Sequence, residues 1–170
     1  MPEKIEGDFG RRERKTKTPE QALASLMRLC ARAEKSSGDA MRLMKGWGVD
    51  PGEARKVLDR LIRERFIDDR RYAEAYAREK TGLNGWGAFK IRRMLVSKGI
   101  AREIIDSVLA AQDKTSAEGR LREMLERKKR STKAAGEYEL KGKLMRYGMG
   151  LGYDYESVQN VVEQIVKNGM

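Results

Sequence analysis

Two adjacent carboxylates (Asp68 and Asp69), one thiol (Cys30) and a Gly85-Trp86-Gly87 turn are the groups here whose types and spacing could do chemistry. Paired carboxylates can hold a divalent cation, a thiolate can attack an electrophile, and a glycine-flanked turn can cradle a phosphate. Each also has a plainer reading. Asp68-Asp69 stands just before a stretch of helical apolar spacing, where capping free amides is the simpler role. Cys30 shares an apolar helical stripe with Leu23, Leu26 and Ala33, as a packed thiol does. The Gly-Trp-Gly turn falls between predicted helices and does not follow a strand, so it lacks the context of a dinucleotide site. Histidine, the commonest general base and metal ligand, is absent from the chain. No GxxxxGK[ST], CxxC or GxSxG pattern occurs. The expectation is a protein with no catalytic residue, no metal and no cofactor.

Binding chemistry is better supplied. The formal net charge is +11 and the pI about 9.8, a balance that favours acidic partners. The excess is concentrated in the middle of the chain. Lys90, Arg92, Arg93, Lys98 and Arg102 form a stretch with no acidic residue. From Arg120 to Lys133, the cations Arg120, Arg122, Arg127, Lys128, Lys129, Arg130 and Lys133 face only Glu123 and Glu126. A solvated helix surface is the default for such runs, but the acid-free stretch favours an electrostatic footprint for phosphates or an acidic groove. Trp47 and Trp86 both sit in glycine-flanked turns. There they can plug the space between units or anchor an interface.

These residues are positioned by a unit written three times. An apolar residue is followed at +5, +8 and +9 by three more: Val49, Ala54, Val57, Leu58; Ile100, Ile105, Val108, Leu109; Tyr153, Val158, Val161, Val162. The sets begin 51 and 53 residues apart, each just after a glycine: Gly48, Gly99 or Gly152. The pattern predicts an all-α chain of nine helices in three groups of three, forming an elongated, curved, solenoid-like body. Its expected parts are a disordered basic arm over 1–18 and three-helix repeats over 19–67, 68–113 and 114–170.

The first helix is predicted over Pro19–Lys35 and the second from about Gly38 to Lys45, with Asp50-Pro51 opening the third. Asp68-Asp69 caps the fourth, and Thr81–Gly87 reads as a loop. Ala101 is a poor cap for the sixth. Thr115 and Glu118 have capping-box spacing, and Gly148 to Gly152 reads as a glycine-rich turn. A single cysteine excludes an internal disulfide, and no apolar run approaches the roughly 20 residues that span a bilayer. With no signal-peptide pattern at the first residues, the chain reads as cytoplasmic, monomeric and not membrane-bound.

One run of residues carries a family likeness. Val57-Leu58-Asp59-Arg60-Leu61 leads into Phe66-Ile67-Asp68-Asp69-Arg70-Arg71-Tyr72-Ala73; Gly85-Trp86-Gly87 then precedes Ile91-Arg92-Arg93-Met94-Leu95 and Lys98-Gly99-Ile100. The run resembles the RecX family, modulators of the RecA recombinase, over about residues 19–111. Ala88 stands where the family usually has proline, and Ala101 where serine or aspartate is common. The resemblance implies three tandem three-helix repeats without catalytic activity. It implies binding in the groove of the RecA filament across neighbouring protomers, lowered ATPase, strand-exchange and co-protease activity, and binding to DNA. The contact residues expected are Lys90, Arg92, Arg93, Lys98, Arg102, Arg127, Lys128, Lys129 and Arg130, with Asp68, Asp69, Gly85, Trp86, Gly87 and Gly99 shaping the turns. The alternative reading is a sequence-nonspecific DNA-binding helical protein.

Overall fold

A computed structural model describes residues 15–169. The expected arm therefore lies outside the described residues except for its last four. Of those, Lys17 donates its backbone N–H to the Trp47 carbonyl (3.0 Å) and its Nζ to Ser25 Oγ (2.7 Å), with Nζ 3.8 Å from the Trp47 ring centroid.

The described residues form nine α-helices and no strand: α1 (Pro19–Arg32), α2 (Ser37–Gly46), α3 (Pro51–Arg63), α4 (Asp69–Asn84), α5 (Ala88–Ser97), α6 (Arg102–Ala110), α7 (Lys114–Ser131), α8 (Glu137–Gly150) and α9 (Tyr155–Lys167). Most begin where a side chain takes up free amides. Thr18 and Ser36 form capping boxes with Gln21 and Asp39. Asp50, Asp68 and Asp154 cap α3, α4 and α9. Ala101 gives α6 no side-chain cap, as its type dictates.

Four local expectations are corrected. First, α1 stops at Arg32, because Ser36 starts the next helix. Second, α4 runs on through Thr81 to Asn84; Thr81 is buried and accepts from Gln112 Nε2 (3.3 Å), and only Gly85, left-handed at φ 65°, ends the helix. Third, α7 is capped by Asp113 rather than by Thr115 and Glu118. Fourth, α8 continues through Gly148, which lies so close to Val158 that a Cβ there would come within 2.7 Å of Cγ1. Glycine at that position is a matter of helix contact, and the reversal waits for Gly152. The three turn glycines do adopt the left-handed backbone their type allows, at φ 72° (Gly48), 74° (Gly99) and 96° (Gly152).

Three separate cores follow in chain order. Leu26, Met44, Leu58 and Leu61 centre the first, Ile91, Leu95 and Ile105 the second, and Leu121, Leu125, Leu144, Val158 and Val161 the third. The main helix contacts all lie inside a trio, so short helices that are marginal alone are held by their own neighbours. Each fully buried leucine contributes about 1.5–3 kcal/mol by leaving water.

The trios are joined by one repeated device: the start of the second helix of one trio receives the glycine turn of the next. Between the first two, Ser36 Oγ donates to the Lys98 carbonyl (2.8 Å) and Arg42 Nη1 to the Ser97 carbonyl (3.0 Å). A Cβ on Gly38 would lie 2.3 Å from the Lys98 carbonyl oxygen. Between the last two, Gly87 N–H donates to the Leu151 carbonyl (2.8 Å) and Phe89 N–H to the Gly152 carbonyl (3.0 Å). Those carbonyls meet amides at the start of α5, which has no side-chain cap of its own.

Asp39 is the charged centre of the first junction, bonded to Arg42 (2.6 Å) and Lys98 (3.2 Å). Burial pushes its carboxyl up, but the Ser36 amide, Arg42 and Lys98 outweigh burial and hold it below the usual carboxylate value. A carboxyl held low in the folded state adds stability above its unfolded pKa of about 3.9, and that stability is lost as pH falls through the lower folded value. The junction is expected to weaken only below about pH 4. Asp39→Asn should flatten the acid limb of stability, read from urea midpoints on both sides of that pH. An unchanged slope in the variant would remove Asp39 from this role.

Candidate docking surface and unit junctions

The residues singled out by sequence divide into those that hold the trios together and those that stay free. Asp68 caps its own helix, accepting from Arg71 N–H (3.0 Å). Asp69 reaches into the first trio and accepts from Ser37 N–H (2.8 Å), so it caps α2 rather than α4. The carboxylate pair thus serves two helices. Gly99 places its turn against Gly38, and Gly87 lies where a Cβ would meet the Gly152 carbonyl carbon at 2.5 Å. Gly85 presents its carbonyl to Tyr153 Oη (3.0 Å). Trp86 packs against both the second and third cores and stands edge-on to Tyr76, with ring centroids 6.5 Å apart. It is the inter-unit plug that the turn geometry suggested. Cys30 is half-buried against the first core, and burial pushes its thiol up, away from the reactive thiolate.

The cations divide the same way. Lys90 lies over the Trp86 ring, 4.2 Å from Nζ to its centroid. Arg92 pairs with Asp106 across α5 and α6, and Lys98 is committed to Asp39. Arg127 pairs with Glu123 (2.9 Å), Lys128 lies 5.1 Å from the Tyr147 ring centroid, and Lys129 Nζ caps α9 at the Ile165 carbonyl (3.0 Å). Exposed Arg93, Arg102 and Arg130 have no ion pair or hydrogen bond among the described residues. Arg102 sits one helical turn before Asp106, so it shares the α6 face that Arg92 reaches. Ion pairs on such exposed faces are worth little to stability, which leaves the free guanidinium groups available for a partner.

Reasoning from sequence named two groups of the second junction, Arg120 and Tyr153, but did not bring them together. Arg120 stands beside Tyr153, and its Nε is shut off from solvent with no hydrogen-bond partner among the described residues. A buried donor left unpaired costs about 1–3 kcal/mol. Next to it opens a cavity of about 420 Å³ between the second and third trios. Tyr153 belonged to the repeated apolar set, but nothing in the spacing tied it to Arg120 or to the Gly85 carbonyl.

Three separately cored helical trios, linked by glycine turns and carrying unpaired arginines on the second and third, make a tandem-repeat helical protein. The second three-helix domain of RecX is matched over residues 68–109 and the third over residues 118–162. The chain belongs to the RecX family, whose members are regulatory proteins. It is 34% identical to the regulatory protein RecX of Clostridium tetani over 121 residues, 70% of this chain and 55% of that protein. It is 28% identical to that of Clostridium botulinum strain Eklund 17B over 137 residues, spanning 79% of this chain and 62% of the relative. The crystal structure of RecX from Lactobacillus salivarius superimposes with a TM-score of 0.75 at 15% identity, covering 86% of this chain and 96% of that one. A second RecX crystal structure gives 0.78 at 19% identity, covering 88% and 73%. The likeness extends past residue 111 into the third trio, where sequence had shown only the repeated spacing. No helix among the described residues is long and apolar enough to cross a membrane.

Proposed function

We propose that the chain regulates the RecA recombinase by binding along the groove of the RecA–single-strand filament, without chemistry of its own. On this reading the units over 19–67, 68–113 and 114–170 meet successive protomers. Weak contacts then add through effective concentration. The observation that carries the reading is the set of three independent cores joined end to end by one repeated junction. Such a body presents equivalent helix faces at regular intervals, as a helical filament presents equivalent protomers. Arg93, Arg102 and Arg130 supply the steering charge, with Lys90, Arg92, Lys98 and Arg127–Lys129 shaping the surface around them. Docking on the filament lowers ATPase, strand exchange and co-protease action by occupying the groove. The protein works in the cytoplasm as a monomer.

Direct binding to DNA is the second reading, favoured by the net charge of +11. Titration of bare duplex and of RecA-coated single strand at several salt concentrations separates the two. The filament reading predicts at least tenfold tighter binding to the coated strand, with a shallow salt slope on bare duplex. Tighter binding to bare duplex with a steep slope, near 0.9 per phosphate neutralised, contradicts it.

A further inference from the structure

The first trio has a cationic surface of its own. Gln21, Ser25, Arg28 and Arg32 follow one another at helical intervals of four, three and four, so they share one face of α1. Lys17 crosses that face from the chain before the helix. Its backbone bond to the Trp47 carbonyl and the seat of Nζ over the Trp47 ring fix where the ammonium group lies. Two adjoining hollows, of about 650 and 260 Å³, share Lys17, Ser25 and Arg28. Lys15 and Gln21 extend the larger, and Arg32 the smaller.

Lys17 Nζ (2.7 Å) and Arg28 Nη2 (3.3 Å) donate to the same Ser25 Oγ. Their charges stand no farther apart than those two bonds laid end to end. A serine hydroxyl has two lone pairs for such donors but no charge to offset the repulsion between them. No carboxylate offsets it among the described residues. Neither cation has an ion pair there, no acidic residue lines either hollow, and Glu34 is taken by Arg71. The side-chain groups left over are mostly donors. Gln21 Oε1 accepts from Thr18 N–H (3.0 Å), which leaves its amide N–H groups to give. Arg28, Arg32 and Lys15 are exposed, so their N–H groups are open to a ligand.

We infer that this face of the first trio binds a phosphoryl group, held between Lys17 and Arg28 with Gln21 as a neutral donor and Ser25 setting the two cations. A phosphoryl group fits because it brings three acceptor oxygens and as much as two negative charges to a site with several donors and two adjacent cations. A carboxylate brings two oxygens and one charge. The site is separate from the cations assigned to the filament and does not rest on that reading.

The test titrates the full chain with inorganic phosphate at constant ionic strength, kept with chloride. The Trp47 indole N–H is followed by NMR, its signal assigned through Trp47→Phe. A saturable shift is expected, with about fivefold weaker binding of acetate or more. Lys17→Gln with Arg28→Gln should weaken phosphate binding about tenfold. Arg28→Gln alone changes only an exposed side chain and serves should the double variant not fold. No saturation, equal affinity for acetate, or unchanged affinity in a folded Arg28→Gln variant would overturn the inference. The source of the phosphoryl group is then read by competition. Displacement of phosphate by oligo-dT without a terminal phosphate identifies a nucleic-acid backbone, and displacement by adenosine monophosphate alone identifies a terminal phosphate. Displacement by neither means an adventitious ion only and overturns the site. RecA takes no part in these titrations, so their failure leaves the filament reading standing.

Discussion

Replacing Gly152 by alanine is expected to remove about 3 kcal/mol of stability, the largest effect of any single methyl added to this chain. Two costs fall on the same carbon. At φ 96° the backbone is one that a side-chain-bearing residue adopts only under strain. The added Cβ would also lie 2.6 Å from the Lys90 backbone nitrogen and 2.4 Å from its Cβ. The close neighbours include backbone, so the clash cannot be relieved by turning a flexible side chain. The second junction must open instead, and with it the bonds from Gly87 and Phe89 to the Leu151 and Gly152 carbonyls. Gly150→Ala is the control: nothing lies within 4 Å of its added carbon, and it sits in α8, so the change is expected to be neutral or stabilising by up to about 1 kcal/mol. Urea unfolding followed by circular dichroism reads both. Hydrogen exchange at Gly87 and Phe89 shows whether the junction opens first. Equal stability of the two variants would refute the account of this junction.

Reversing charge at Arg93, Arg102 and Arg130 together is expected to weaken binding to RecA-coated strands roughly 100-fold at low salt. These three have no partner among the described residues, so their loss breaks no ion pair there and the fold should be unaffected. Reversal at Arg92 or Lys98 is a less discriminating experiment, because each breaks an ion pair of the fold, to Asp106 or to Asp39, the latter keeping only Arg42. The triple variant should unfold at the wild-type urea concentration and bind with a shallower salt dependence. Wild-type affinity in this folded variant would show that these arginines do not face the partner.

The repeat was legible because its signals are local. A glycine before an apolar residue, followed at helical intervals by further apolar residues, records a left-handed turn and a buried stripe within about a dozen positions. The junctions were not legible, since they join groups far apart in the chain. Asp69 reads as a cap for the helix it begins, and it is the approach of Ser37 that redirects it to α2. Gly38 is unremarkable in sequence until the Lys98 carbonyl is found against it. Gly148 looked like a turn residue because three glycines follow one another at alternate positions, and the side chain that explains it, Val158, lies in the next helix. The basic surface was legible in amount but not in division. Composition counts Lys90, Lys98 and Lys129 with the free cations, whereas folding assigns them to an indole ring, a carboxylate and a helix end.

On the proposed function, a chain with no chemistry of its own regulates a filament by occupying its groove. This is tested most directly by the steady-state ATPase of RecA on single-stranded DNA as this protein is added. A saturable fall in turnover at sub-stoichiometric or equimolar protein is expected, reduced in the triple arginine variant. ATPase that stays at its starting rate while the protein is shown to be folded and in excess would contradict it.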